Sequence, residues 1–436
     1  MKCMNYYSTN RRAPEVSLRE AVMQGLAPDG GLYMPQEIRP LPDVFYESLD
    51  GLTLADVAYA AAIRFFGDDV PADILRDMVE DTLSFPIPLV QVDERIFALE
   101  LFHGPTLAFK DVGARFMARL LSYFIKKEGK GNVHVLVATS GDTGSAVANG
   151  FLGVPGIEVV VLYPKGKVSP TQEMQFTTLG RNITALEVDG TFDDCQRLVK
   201  SAFVDPAVNG HLCLTSANSI NIARLLPQSF YYFHAVAQLR AQGITAPVVM
   251  SVPSGNFGNL TAGLIAHRMG LPVARFLAAN NENHPVFDYL RTGVYVPHPS
   301  IATLANAMDV GDPSNFARML DLYGGNHHAM AHDIQGDWFT NEMIADLINH
   351  TFRTTGYFVD PHGACAYGVL LRHLRPGEVG IFLETAHPAK FGETMRRVTG
   401  VDVPVPQRLA EFMRGTKQSL PMSRDYDDFR QYLLQR

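Results

Sequence analysis

Lys110 lies in Leu101-Phe-His-Gly-Pro-Thr-Leu-Ala-Phe-Lys-Asp, an amine in a run otherwise made of apolar and turn residues. The chain has ten lysines, and this is the only one between Lys2 and Lys126. A desolvated lysine loses proton affinity, and the neutral amine can form a Schiff base or take up a proton. Taken alone, the segment also fits a lysine that snorkels outward from the start of a helix. The following positions Val112, Phe116, Leu120 and Phe124 form one apolar stripe, which predicts a helix over Asp111–Phe124.

Two further segments join a β-branched run to a helical pattern through small residues. The first is Val133-His-Val-Leu-Val-Ala-Thr-Ser-Gly-Asp-Thr-Gly-Ser-Ala, with Ser140, Gly141, Asp142 and Thr143 at its turn. The second is Val248-Val-Met-Ser-Val-Pro-Ser-Gly-Asn-Phe-Gly-Asn-Leu, with Gly255, Asn256, Phe257, Gly258 and Asn259. In both, backbone N–H groups can point into a concavity at a helix N-terminus, where the helix dipole favours an anion. Gly255 and Gly258 let the backbone approach a ligand closely. Neither loop ends in G-K-[ST] or carries G-x-G-x-x-G with a later acid, which argues against nucleoside triphosphates and dinucleotides. The second loop has no Lys or Arg and suits one compact phosphate whose carrier is also held covalently elsewhere. Either loop alone is equally a tight turn of a parallel βαβ unit. Thr385 follows the strand-like run Gly380-Ile-Phe-Leu-Glu, where open α/β sheets bind ligands, or else it caps the next turn.

These groups need a scaffold of strands alternating with helices. Short runs at Ile96–Leu101, Val133–Ala138, Ile157–Tyr163, Val248–Val252, Val273–Ala278 and Val379–Leu383 predict parallel βαβ units covered on both faces. The first ~85 residues read instead as a mostly helical unit, with amphipathic spacing at Val16–Gln24 and Leu52–Phe66 and a rigid turn at Ala27-Pro-Asp-Gly-Gly. The resulting division is 1–85, 86–400 and a polar tail over 401–436 that ends in a closing helix. Net charge of −8 argues against nucleic acid or an anionic membrane as the main partner. Four scattered cysteines (Cys3, Cys195, Cys213, Cys365), no apolar signal core near Met1 and no apolar run of membrane-spanning length indicate a reducing cytoplasm. His328 and His332 have helical i, i+4 spacing but no convincing third ligand, so no metal site is expected. Asp193 and Asp194 read as a helix-start charge pair.

An isolated amine, an uncharged anion cradle and a late hydroxyl together suit pyridoxal phosphate. Its aldehyde needs an amine, its phosphate needs helix-end amides, and its ring nitrogen needs a hydrogen-bond partner. The segment Phe102-His-Gly-Pro-Thr-Leu-Ala-Phe-Lys-Asp resembles the cofactor-lysine segment of threonine synthases. Ser140-Gly-Asp-Thr-Gly-Ser-Ala, Tyr163-Pro-Lys-Gly-Lys-Val-Ser-Pro, Asn218-Ser-Ile-Asn-Ile-Ala-Arg-Leu-Leu-Pro-Gln, Ser254-Gly-Asn-Phe-Gly-Asn and Glu384-Thr-Ala-His-Pro-Ala-Lys-Phe resemble later motifs of that family, in the same order. Asp29-Gly-Gly-Leu-Tyr-Met-Pro is similar to its extra N-terminal domain, and Ile222 departs from the family by standing where an aromatic residue is common.

The resemblance implies a fold-type II (tryptophan synthase β-like) α/β enzyme with two open parallel-sheet lobes and a mostly helical N-terminal domain. It implies that Lys110 carries pyridoxal 5'-phosphate, that Gly255, Asn256, Phe257, Gly258 and Asn259 bind the cofactor phosphate, and that Thr385 meets the pyridine nitrogen. Ser140–Thr143 would grip the substrate's α-carboxylate. The implied reaction converts O-phospho-L-homoserine and water to L-threonine and phosphate, a carbon–oxygen lyase reaction on a phosphate ester, by a monomer or homodimer. The substrate phosphate then needs a third anion site, for which Lys165, Lys167 and Arg224 are candidates; surface solvation of the lysines and a helix ion pair for Arg224 are the alternatives. Other readings are a serine/threonine dehydratase, an amino-alcohol phospholyase, or a non-catalytic pyridoxal phosphate-binding protein.

Overall fold

A computed structural model describes residues 4–129 and 132–436. Lys2, Cys3 and the first residues of the N-terminal stretch lie outside them. The larger of two central sheets has the strand order Ile334–Trp338, Arg275–Asn280, Val248–Pro253, Val379–Glu384, Ile96–Glu100, Leu89–Asp93. Every neighbouring pair is parallel except the last. The smaller sheet runs Leu420–Met422, Ile183–Val188, Ile157–Pro164, Val133–Ala138, Cys213–Ser216, parallel throughout.

All six strands expected from apolar runs are present, because helices cover both faces and nearly every residue of such a strand is buried, without exception in Val133–Ala138 and Val379–Glu384. One begins two residues later than expected, at Arg275, whose buried guanidinium donates to the Glu378 carboxylate at 2.5 and 2.8 Å. The strands Leu89–Asp93, Ile183–Val188, Cys213–Ser216, Ile334–Trp338 and Leu420–Met422 carry no clean apolar run. They lie at or next to a sheet edge, where one side stays polar.

The N-terminal unit adds three short antiparallel strands, Asn5–Ser8, Val16–Ser17 and Tyr33–Pro35, to the expected helices. Ser17 with Glu20 and Thr53 with Asp56 form capping boxes that start helices Leu18–Gln24 and Leu54–Phe66. Asp29 organises the glycine turn by accepting from the N–H groups of Gly31, Arg12 and Ala13. Phe66 packs on Phe116 with ring centroids 4.8 Å apart, so this unit braces the helix Lys110–Glu128. The stripe Val112, Phe116, Leu120 and Phe124 is buried as its spacing requires. Beyond Pro406 there are two helices, Gln407–Met413 and Tyr426–Leu434, and the strand between them joins the smaller sheet. Phe429 and Leu433 anchor the second helix in the core. Asp194 belongs to the capping box of Thr191, as a helix-start acid should.

The loops after Ala138, Pro253 and Glu384 all leave the C-terminal ends of parallel strands, where such sheets place their ligand crevice. Gly255 is required here by protein packing: a Cβ would lie 2.6 Å from Ala307 O and 2.8 Å from Met308 Cα. The glycine thus admits the backbone of the Asn306–Met308 turn, whereas a ligand was the expected neighbour. Gly258 differs, because its Cβ would meet nothing closer than 3.4 Å. Urea unfolding should therefore separate them: Gly255→Ala lowers stability by about 1–3 kcal/mol, as overpacking does, whereas Gly258→Ala shifts it by less than about 1 kcal/mol. Equal effects of the two substitutions would show that the backbone contact at Gly255 relaxes freely.

Candidate active site

Lys110 is the first residue of the helix Lys110–Glu128, and its position is set by the backbone before it. Leu101 N–H donates to Glu384 O at 3.0 Å, His387 N–H to Leu107 O at 3.1 Å, and Phe109 N–H to Thr385 O at 2.9 Å. Ala108 and Ala386 form an antiparallel bridge inside this ladder. Leu107 holds a left-handed φ of 57°, a strained state for a branched side chain that the ladder enforces. Asp111 closes the turn from within, accepting from Thr106 N–H at 2.8 Å and Thr106 Oγ1 at 2.7 Å. Gly104 leaves room for that carboxylate, since a Cβ there would sit 2.5 Å from it.

The Lys110 amine is half-buried and makes no hydrogen bond within the described residues. Burial lowers its pKa to about 8; Arg224 and Lys390 push the same way and Asp142 opposes them. Thr385 is buried beside it, with a hydroxyl that makes no hydrogen bond within the described residues. Glu384, one residue earlier, is driven up by burial and by Asp360, and burial holds His387 down at about 4.

The two glycine loops differ in what their amides already do. None of the backbone N–H groups from Gly255 to Leu260 finds an acceptor within the described residues. Phe257, at φ 57°, turns this stretch into the helix Gly258–Arg268. Asn259 Oδ1 accepts from Tyr231 OH at 2.7 Å and Tyr232 OH at 2.8 Å, which leaves its buried Nδ2 as the end without a partner. Asn256 is tied instead to protein: Nδ2 donates to Ser219 Oγ at 2.5 Å and Oδ1 accepts from Ser314 N–H at 2.6 Å. This row of unused donors at a helix N-terminus fits a phosphate without any charged side chain.

In the loop after Ala138, Thr139 Oγ1 accepts from Gly141 N–H at 2.9 Å and Gly144 N–H at 2.8 Å, leaving the amides of Asp142 and Thr143 unpaired beside half-buried Ser140. Asp142 does not offer its side chain to a ligand. Its carboxylate pairs with the buried Lys390 ammonium and accepts from Gln172 Nε2 at 2.9 Å. Burial opposes ionisation there, but Lys390 and Lys110 outweigh it and hold the carboxyl below the usual range.

Of the basic candidates, Arg224 is buried and forms no ion pair among the described residues: one Nη donates to Ala217 O, Nε finds no partner among them, and burial brings it down to about 10. Gly113 of the lysine helix packs against its backbone, and its charge bears on Lys110. Lys165 and Lys167 are exposed and line a separate polar groove with Asp189, Thr191, Ser423 and Arg424. Ile222 is buried two residues before Arg224 on the same short helix. Among the described residues no three His, Cys, Asp or Glu cluster to hold a metal. Thr106, Gln172, Gln175 and Lys390 join the site without having been expected from sequence. For Lys390 a signal existed, since it too is a scarce lysine in an apolar run.

An amine of lowered proton affinity, a row of free amides at a helix N-terminus and a buried hydroxyl, gathered beyond the ends of parallel strands, fit a pyridoxal phosphate enzyme. The pattern described as pyridoxal-phosphate dependent enzyme matches residues 82–383. Two narrower patterns flank it, threonine synthase N terminus over 5–83 and threonine synthase C-terminal over 363–433. The chain is 45% identical to the threonine synthase of Haemophilus influenzae, over 99% of this chain and 100% of that one. The crystal structure of threonine synthase from Escherichia coli superposes with a TM-score of 0.92 at 42% identity, covering 99% of this chain and 100% of that one. The pyridoxal phosphate-bound threonine synthase from Brucella melitensis superposes equally, at 0.92 and 34% identity, over 99% of both chains. This chain belongs to the threonine synthase family.

The amine carries a direct test. Competitive acetylation of the cofactor-free chain, followed by peptide mapping, should show Lys110 becoming reactive as pH rises through about 8, because only the neutral amine attacks. A midpoint near the ordinary 10.5 would contradict the desolvated environment.

Proposed function

We propose that this protein converts O-phospho-L-homoserine and water to L-threonine and phosphate, with Lys110 as the residue that carries the cofactor and moves the protons. The observation that bears most weight is the Lys110 amine, unpaired within the described residues and of lowered proton affinity, on a segment tied to the Thr385 backbone by the Phe109 N–H to Thr385 O hydrogen bond of 2.9 Å.

Pyridoxal phosphate, when bound, supplies an electron sink for charge developing on carbons near the substrate amine. The amides of Gly255, Asn256, Phe257, Gly258 and Asn259 hold its phosphate, with Asn259 Nδ2 as a further donor, and Thr385 Oγ1 donates to or accepts from the ring nitrogen. The free amides of Asp142 and Thr143, with Ser140, hold the substrate carboxylate at a second helix N-terminus. Lys110 Nζ, when free and neutral, would take the proton from Cα, hand it on to the far end of the conjugated system that the bound cofactor supplies, and so be able to take a second proton from Cβ. Phosphate leaves Cγ, protons return to the carbon skeleton, and water adds at Cβ. Arg224 is the favoured partner of the leaving phosphate, because its unpaired Nε lies in the electrostatic neighbourhood of Lys110. Lys167 has only its exposed loop position in its favour.

The same reading divides the chain into an N-terminal unit over 1–85, a catalytic region over 86–400 and a tail over 401–436, working as a monomer or homodimer. A reducing cytoplasm suits the buried thiols of Cys195 and Cys365. No described helix is long and apolar enough to cross a membrane.

The test is a pair of assays on one preparation. The protein should release phosphate and form threonine from O-phospho-L-homoserine at least about a hundredfold faster than it deaminates serine, since only the first substrate uses the third anion site. Borohydride reduction should place the pyridoxyl group on Lys110, and Lys110→Ala should fold yet lose turnover. Serine deamination at a comparable rate, without phosphate release, would hand the site to a dehydratase.

A further inference from the structure

Lys390, unlike the half-buried Lys110, is removed from water altogether. Its side chain has no exposed surface, and its Nζ donates to the Asp142 carboxylate and, at 3.0 Å, to the Thr106 carbonyl. Gln172 Nε2 donates to the same Asp142 oxygen at 2.9 Å, and Gln175 Nε2 to the same Thr106 carbonyl at 2.9 Å. Both glutamines lie on one helix, Pro170–Thr177. The turn before Lys110, the loop after Ala138 and the segment after Thr385 therefore meet at a single ammonium group.

Asp142 places a full negative charge in the loop that, on the reading proposed above, receives the substrate carboxylate. Unbalanced, that charge would repel the incoming anion and hold a proton on Lys110. Lys390 offsets both effects, by ion-pairing with Asp142 and by adding a cation near the Lys110 amine. The charged groups that bear on Lys110 are Asp142, Arg224 and Lys390. Hydrogen bonds from Gln172 alone would leave a buried, uncompensated carboxylate, the costly half of a buried pair.

We infer that Lys390 is a positioning residue for this reaction. Through Asp142 and Thr106 it locks the Ser140–Thr143 loop against the Lys110 segment, and it neutralises that loop so that an anionic substrate can enter. This rests on the assignment of the loop to the substrate carboxylate.

The test compares Lys390→Met with Lys390→Met/Asp142→Asn, both as full-length chains. In the cofactor-free proteins competitive acetylation gives the Lys110 midpoint; in the reconstituted proteins steady-state kinetics give KM and kcat for O-phospho-L-homoserine. In Lys390→Met the midpoint should rise by about one pH unit and KM by about tenfold or more, with kcat falling less than about threefold, because the stranded Asp142 charge acts at short range in a poorly solvated site. The double variant removes both charges, so its midpoint should return to within about half a pH unit of wild type and its KM should fall at least about threefold below that of Lys390→Met. A lowered melting temperature in Lys390→Met with an unmoved midpoint and unmoved KM would overturn the inference and leave the pair as structural glue. If Lys390→Met does not fold, the double variant decides, and a KM raised more than about tenfold there overturns it. A wild-type protein inert towards O-phospho-L-homoserine would instead defeat the proposed function, and the Lys110 midpoint would still judge Lys390.

Discussion

The short backbone ladder between Leu101–Phe109 and Glu384–His387 is the constraint on which the site depends. It joins stretches nearly 280 residues apart in sequence at the C-terminal ends of two adjacent strands, Ile96–Glu100 and Val379–Glu384. Because those strands are parallel neighbours, the chain leaving one and the chain leaving the other emerge side by side. The ladder converts that proximity into a fixed register, with Lys110 starting a helix next to Thr385. The strained Leu107 and the Asp111–Thr106 turn are local consequences of reaching that register in so few residues.

Around this frame the two glycine loops have divided their labour by what their amides already satisfy. The loop after Ala138 uses Thr139 to cap itself and keeps two amides free. The loop after Pro253 leaves a whole run of amides open. The first loop also bears the acid Asp142, so a cation had to be built in beside it. Removing one partner of a buried ion pair costs about 3–5 kcal/mol, a large share of a typical stability of about 5–15 kcal/mol. The Lys390–Asp142 pair is thus tied to the fold as well as to the chemistry, and this is why its test needs the charge-balanced double variant.

Much of this was legible in the sequence. The six buried strands showed as apolar runs, and the Lys110 helix showed as a stripe ending at Phe124. The two glycine loops showed as small residues between a strand pattern and a helix pattern, the same signal that an ordinary βα turn gives. What escaped notice depends on contacts between distant segments. Nothing local says that Asp142 faces Lys390 or that Gln172 and Gln175 brace the turn before Lys110. The reason for Gly255 was likewise hidden, because its close neighbour is the Asn306–Met308 turn. The strand Leu420–Met422 was missed because its residues are exposed or half-buried and only its backbone pairing makes it a strand. Arg224 read as either an anion-site candidate or half of a helix ion pair; it is buried without an ion pair among the described residues, where Gly113 lets the lysine helix approach it closely.

The central claim is the orientation that the ladder and the two loops impose on the cofactor. A crystal structure of the chain reconstituted with pyridoxal phosphate tests it most directly. The account predicts continuous density from Lys110 Nζ to the cofactor, its phosphate on the amides of Gly255–Asn259, and its ring nitrogen within hydrogen-bonding distance, about 2.7–3.2 Å, of Thr385 Oγ1. A cofactor joined to Lys110 but with its phosphate on the Ser140–Thr143 loop would contradict the account.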